Sequence, residues 1–392
     1  MKQVLSVNIY DLTKSANRYL KTTIAQPVEI GTFSYDADNN VFPPVINKYK
    51  QPELPCDLTV GYNIDNVPVN GPSPLAPILS TLSDKKYDVT KVDFITYRNN
   101  LNKIFGTCIN RNPWTIDIER LDNTVHLGIN FKQEKFDDDH HAKSVYGGFK
   151  FEQYCMSDDT DLKYCSIVQT ELKGHKIVLA AEIDCCIAST QQQPQSQTQQ
   201  QHHSVKRKLE SDEDTTTEAA AAAAAEKTEY VELKTANEIK DDKAKHTFER
   251  FKLFTCWLQS YLAGVGRIVF GFKDSNMVVN KLTEIRTLDI PSMVGGKWSQ
   301  NECLLKGHEI LSFIKRSTHS DKQYQLQFNH PNLILFEVEE SSSTPSTTEK
   351  DGTGSSSSST TTSILPNDYK EYFQSLKNKH TGDSDVKRVK VE

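Results

Sequence analysis

Ile177-Val178-Leu179-Ala180-Ala181-Glu182-Ile183-Asp184 and Glu229-Tyr230-Val231-Glu232-Leu233-Lys234-Thr235 are the two stretches that decide how this chain folds. The first is an apolar run closed by two carboxylates, and the second alternates apolar with polar residues. Both read as strands. Side chains two apart on a strand share a face, so Glu182 projects with Asp184 and Glu232 with Lys234. Read as neighbouring strands, the two segments gather four ionisable groups on one patch in apolar surroundings. Such a patch is costly unless divalent cations neutralise the carboxylates.

Oxygen donors with no Cys or His among them favour Mg²⁺ or Mn²⁺ over zinc. An acidic strand followed by Glu-x-Lys is also an arrangement that metal-dependent nucleases use, with carboxylates on metal and the lysine on the attacked phosphate or its water. Solvated strand faces carry Glu and Lys too, so this pattern alone leaves a structural reading open.

Working outward, an insertion at 187–228 separates the two strands. It is Gln/His-rich, then basic at Lys206-Arg207-Lys208, then acidic, then polyalanine. Such composition cannot bury a core and is expected to be a disordered excursion. Upstream, Pro27 to Tyr35 and Lys163 to Leu172 read as strands. Trp114 to Leu121 and Thr124 to Ile129 alternate around Asp122-Asn123 as a hairpin. Asp93 to Phe105 has near-helical spacing with Arg98 off the apolar face, Phe149 to Tyr154 looks like a strand, and Asp137 to His141 like a solvated loop. Downstream, Phe251 to Leu262 and Glu302 to Lys315 read as helices, and Arg267 to Phe272, Tyr324 to Phe328 and Asn332 to Val338 as strands. Strands interleaved with helices in this way predict an α+β domain.

The 392 residues are 36% hydrophobic, which is low because polar tracts dilute a real core. The expected organisation is an N-terminal segment at 1–26, one large domain at 27–338, and a disordered Ser/Thr-rich tail at 339–392 with a basic end, Lys387-Arg388-Val389-Lys390. Net charge is −6 and pI about 6.0, which argues against a chain that coats nucleic acid by bulk charge. No stretch reaches the ~18 consecutive apolar residues of a membrane helix, and Met1 to Asn8 lacks the apolar region of a secretory signal. A soluble chain without membrane partners is expected. Eight cysteines are scattered without a Cys-x-x-Cys pair and read as buried free thiols.

Five ordered motifs carry a resemblance. Thr96-Tyr97-Arg98, Tyr146-Gly147-Gly148-Phe149-Lys150-Phe151-Glu152, Glu182-Ile183-Asp184, Glu232-Leu233-Lys234 and Trp257-Leu258-Gln259-Ser260-Tyr261-Leu262-Ala263-Gly264 resemble successive motifs of the DXO decapping exoribonuclease family (DXO/RAI-type). The similarity runs from about Pro27 to Val338, leaving out the insertion. It implies two packed mixed β-sheets with surrounding helices in a single catalytic domain. It also implies hydrolysis at RNA 5′ ends: release of unmethylated caps, of pyrophosphate from triphosphate ends or of NAD caps, and 5′-to-3′ degradation.

By the same resemblance Glu152, Asp184, Glu232 and the backbone carbonyl of Leu233 would hold Mg²⁺ or Mn²⁺, as two ions, with Glu182 a direct or water-mediated ligand. Lys234 and Gln259 would meet the scissile phosphate, and Arg98 would hold RNA or its 5′ phosphate. The implied partners are RNA with a defective or non-standard 5′ end and a nuclear 5′-3′ exoribonuclease. The two basic clusters point to the nucleus as the expected location. The rival reading is a weakly catalytic or non-catalytic module that stimulates such an exoribonuclease. A DNA nuclease is a further alternative.

Overall fold

The computed structural model describes residues 1–14, 21–69, 71–130, 136, 138–187, 228–338 and 363–388. In chain order the first strands are β1 Lys2–Asn8, β2 Val28–Tyr35, β3 Val41–Phe42, β4 Cys56–Asp57, β5 Phe94–Tyr97, β6 Trp114–Leu121 and β7 Thr124–Ile129. They are followed by β8 Lys163–Leu172, β9 His175–Ile183, β10 Cys185–Ile187, β11 Glu229–Asn237, β12 Arg267–Lys273, β13 Val278–Arg286, β14 Gln323–Asn329 and β15 Asn332–Val338. Ten of these form one sheet in the order β1-β15-β14-β6-β7-β5-β9-β8-β2-β3, and five form another in the order β10-β11-β12-β13-β4. This is the expected α+β fold of two mixed sheets.

The main core lies between the sheets. Leu179 and Ile183 of β9 meet Ile268 and Phe270 of β12 there, together with the helices Arg98–Gly106, Leu253–Ala263 and Gln300–Ser317. The alternate residues of β9, Val178 and Ala180, pack on the outer face with the helix Ala76–Asp84. A strand covered on both faces must be apolar throughout, which accounts for the unbroken run at 177–181. Strands β7, β5 and β9 are mutually parallel, so their carboxyl ends lie together at one end of the large sheet. Ligand sites of open α/β sheets form at such ends.

The structure corrects several expectations. Asp93 to Phe105 is a buried strand, β5, followed by the helix Arg98–Gly106, because Phe94 and Ile95 serve opposite faces of the sheet. Phe149 to Tyr154 is helical, within Asp139–Cys155; of the expected loop at Asp137 to His141, Asp137 lies outside the described residues, Asp138 is the N-cap of that helix and Asp139 to His141 are its first turn. Segments 176–186 and 229–235 are not simple neighbours. β9 ends at Ile183 in the large sheet, the chain crosses at Asp184, and only β10 pairs with β11.

Residues 363–388, expected to be mobile, include the helix Asn367–Arg388. Leu365, Tyr369 and Phe373 are buried against the outer face of the large sheet. Their near-helical spacing is diluted in sequence by the polar tract before it. The N-terminal segment contributes β1, paired with β15. The insertion proper and residues 339–362 lie outside the described residues, but Ile187 and Glu229, on either side of the insertion, are register partners. Seven of the eight cysteines are buried, and none forms a disulfide.

Candidate active site

The crossing at Asp184 brings the two sheets' functional residues together. Asp184 Oδ2 accepts from the backbone N–H of Leu233 at 2.6 Å, locking the crossing onto β11. Glu232 and Lys234 share the inner face of β11, and Lys234 Nζ makes a short contact to Glu232 Oε1. The same ammonium donates to the Leu233 carbonyl at 2.9 Å and lies 3.7 Å from Asp184 Oδ2. Arg98, at the start of its helix after β5, reaches across to Glu232 at 3.3 Å and to the Gln259 carbonyl at 3.5 Å.

Glu152 approaches from the helix Asp139–Cys155. Its neighbour Phe151 lies where a side chain at residue 271 of β12 would stand, so Gly271 lets the helix settle on the small sheet. Glu182 stands apart from this tight group, at the end of β9. It accepts from the Tyr35 hydroxyl at 3.1 Å and pairs with Lys163 at 3.3 Å. All eight predicted groups therefore fall at one place, but Glu182 and Asp184 do not form a simple pair on one uninterrupted strand.

Electrostatics report the crowding. Burial, then Asp184, pushes the Glu152 carboxyl up to about 8. Burial, then Glu232, pushes Asp184 up to about 6. Burial also works to raise Glu232, yet Lys234 and then Arg98 outweigh it and hold that carboxyl below its ordinary range. Lys234 is held well above the usual lysine value, its burial overcome by Glu232, Asp184 and Glu152. One ammonium and one guanidinium thus stand against three buried carboxylates.

The donor set is all oxygen, Glu152, Asp184, Glu232 and the Leu233 carbonyl with Glu182 nearby, and it suits a hard divalent cation. Among the described residues no three Asp, Glu, His or Cys side chains stand as a ready metal cage. Lys234 instead bridges oxygens of that set and supplies positive charge there. The carboxyls of Glu152 and Asp184, raised by burial and by their carboxylate neighbours, are the groups whose ionised form a bound cation would favour.

Arg98, Glu182 and Gln259 line a cavity of about 1200 Å³ that runs across the end of the large sheet, from Tyr35 and Lys163 on one side to Trp114 and Gln327 on the other. Sequence reasoning missed Tyr35 and Lys163. The only available signal was that both fall at strand ends, and it becomes readable once β2, β8 and β9 are known to be adjacent.

A family model described as RAI1 like PD-(D/E)XK nuclease matches residues 25–370. The decapping nuclease din1 of Schizosaccharomyces pombe is 28% identical over 330 residues, covering 75% of this chain and 88% of its own. The crystal structure of S. pombe Rai1 superposes with a TM-score of 0.66 at 22% identity, covering 86% of this chain and 99% of its own. The structure of Candida albicans Rai1 in complex with pU5-Mn2+ superposes with a TM-score of 0.65 at 18% identity, covering 95% of this chain and all of its own.

Proposed function

Because the chain belongs to the RAI1-like PD-(D/E)XK nuclease family, we propose that it is a metal-dependent hydrolase of RNA 5′ ends. On this reading it removes incomplete or non-standard caps (unmethylated cap, triphosphate end, NAD cap) and degrades the exposed RNA 5′-to-3′. The observation that carries it is the close conjunction of Glu152, Asp184, Glu232 and Lys234 behind Arg98, which itself lines a long cavity together with Glu182 and Gln259. A scaffold has no physical use for carboxylates gathered where burial and their neighbours raise the cost of ionising them.

Mg²⁺ or Mn²⁺, as two ions, would be held by Glu152, Asp184, Glu232 and the Leu233 carbonyl, with Glu182 direct or through water. The manganese and pU5 of the C. albicans relative support that choice. When bound, such cations supply a water of lowered pKa and neutralise charge on the reacting phosphate. The chain's own residues do the rest. Lys234 shifts from the carboxylates to a non-bridging phosphate oxygen, and Gln259 orients the same group. Arg98, already buried and committed to Glu232, presents its remaining N–H donors to the terminal phosphate.

Two further parts of this reading are association with a nuclear 5′-3′ exoribonuclease, which rests on the motif resemblance, and a nuclear location, which the basic clusters Lys206-Arg207-Lys208 and Lys387-Arg388-Val389-Lys390 support. The test is incubation of purified protein with Mg²⁺ or Mn²⁺ and 5′-labelled RNAs bearing monophosphate, triphosphate, unmethylated cap, methylated cap or NAD. Release of label from at least one is expected. A folded protein that releases none with either metal would sink the proposal.

A further inference from the structure

Three neighbouring strands of the large sheet each bring one polar residue to the same corner of the cavity. Tyr35 closes β2, Lys163 opens β8, and the two are register partners. Two residues further along β8, Cys165 is the register partner of Glu182 on β9. Tyr35, Lys163 and Glu182 therefore share one face of the sheet, with Lys163 diagonal to Glu182 and within reach of a long side chain.

The Tyr35 ring packs on the buried Phe33, with centroids 5.9 Å apart. Its hydroxyl donates to Glu182 Oε2 at 3.1 Å. The Lys163 ammonium lies 3.3 Å from Oε1 and 3.4 Å from Oε2. Both oxygens of Glu182 are thus engaged from the β2/β8 side.

The other carboxylates are held differently. Glu232 and Asp184, with side chains 1% and 12% exposed, share Lys234. Glu182 is 43% exposed, lines the cavity and pairs with a different cation. It is still close enough to bear electrostatically on Glu152 and Asp184. An ion pair this exposed contributes little to stability, so its consequence falls on Glu182 more than on the fold.

A carboxylate offers about four lone-pair positions on its two oxygens. To touch a Mg²⁺ ion at the usual ~2.1 Å, Glu182 would have to turn and give up a donor. Mg²⁺ sheds its waters reluctantly and keeps several of them. A carboxylate held back by an ammonium and a phenol can accept from one of those waters without turning.

We propose that Tyr35 and Lys163 are positioning residues for Glu182: they hold its carboxylate to the water shell of a cation seated at Glu152, Asp184 and Glu232, and keep it from becoming a direct ligand. This rests on the function proposed above in taking a hard divalent cation as the occupant of that set. Glu182 then orients a cation-bound water, and Tyr35 and Lys163 act through it.

The test is Mn²⁺ binding to the full chain by isothermal titration, without RNA. Lys163→Met should bind Mn²⁺ at least about threefold more tightly than wild type, because Glu182 is free to turn onto the ion and adds a charged ligand. Tyr35→Phe should shift affinity in the same direction, and Lys163→Arg, which keeps the pair, should match wild type. In a Glu182→Gln background the gain from Lys163→Met should shrink by at least roughly half, as expected of residues that act through one carboxylate. At saturating Mn²⁺ both Lys163→Met and Tyr35→Phe should hydrolyse a 5′-monophosphorylated RNA at least about fivefold more slowly, since the water is no longer oriented. Tighter metal with slower hydrolysis is the opposite of what lost structure gives, which would weaken both.

Wild-type Mn²⁺ affinity in Lys163→Met and Tyr35→Phe, or an undiminished gain in the Glu182→Gln background, would overturn the assignment. A wild-type chain that binds no Mn²⁺ would remove it together with the proposed function. A chain that binds Mn²⁺ and shows these shifts, but hydrolyses no RNA in the panel, refutes the function and leaves the positioning role standing. One that hydrolyses RNA without the shifts does the reverse.

Discussion

Arg98 and Glu232 tie the two sheets together. The guanidinium at the end of β5 lies 3.3 Å from the carboxylate on β11, with side chains 9% and 1% exposed. Glu232 is thus a structural anion as well as a candidate metal ligand, whereas Glu152 has no comparable cation of its own.

The two glutamates should therefore separate stability from activity. Glu232→Gln leaves Arg98 and Lys234 buried without their shared counter-charge, and should cost about 3–5 kcal/mol. Glu152→Gln removes a carboxyl that the fold holds at about 8. That raised value costs stability as pH climbs from about 4.5 to 8, since the folded state keeps a proton the unfolded state releases. Metal-free Glu152→Gln should melt higher than wild type at pH 7, by on the order of 1–2 kcal/mol. Both variants should lose hydrolysis of a 5′-monophosphorylated RNA by at least roughly a hundredfold. Thermal melts and single-turnover rates check this, and wild-type rates in either variant would remove it from the site.

How much of this was legible in the sequence depends on whether the signal was local. The Glu232-x-Lys234 pair, the apolar run of β9 and the hairpin at Trp114 to Ile129 are local patterns, and each was readable. Glu152 was placed on a strand because Phe149 and Phe151 are two apart, a strand spacing, while the helical spacing from Phe151 to Tyr154 is too short a signal to decide against it. The crossing at Asp184 was invisible, since a strand that leaves one sheet for another keeps its alternation. Lys163 and Tyr35 reach Glu182 only through pairing among β2, β8 and β9, which no spacing encodes. The docked helix beyond residue 363 was hidden by composition, its Leu365, Tyr369 and Phe373 being outnumbered by Ser and Thr in the same tail.

Replacing Gln191 to Lys227 with a short turn should leave activity within about twofold. Ile187 and Glu229 are register partners, so the two ends already stand at hairpin distance. Loop closure changes by only ~0.6 kcal/mol per doubling of length. Hydrolysis rates of the shortened chain on the same RNA panel test this, and a folded but inactive variant would give the segment a part in substrate handling.

Acid should loosen the C-terminal helix. His126 is fully buried, with one ring nitrogen 2.9 Å from the Tyr369 hydroxyl, and burial lowers its pKa to about 3. The unfolded chain takes up this proton near pH 6.5 and the folded chain does not, so stability is lost as pH falls from 6.5 toward 3, by at most roughly 1.4 kcal/mol per unit. His126→Gln, which cannot titrate, should show a shallower fall in melting temperature between pH 6.5 and 5. Identical slopes in the two proteins would show that His126 takes up its proton without penalty.

End recognition follows from where the cations lie. Arg98, buried and lining the cavity, and Lys234, half-buried behind it, flank the carboxylates, so a phosphate reaching them exchanges water for charge-assisted hydrogen bonds. Such a bond is worth roughly 1.5–3 kcal/mol, and 1.4 kcal/mol is tenfold in rate or affinity. A 5′-monophosphate RNA should therefore be degraded at least tenfold faster than its 5′-hydroxyl counterpart, and Arg98→Ala should narrow that ratio. If a terminal phosphate is what the cluster grips, a circular RNA of the same sequence offers none and should resist hydrolysis under conditions that consume the linear form. Equal cleavage of circular and linear RNA would mean that the chain passes through the cavity sideways, and the protein would then be an endonuclease that reads no end at all.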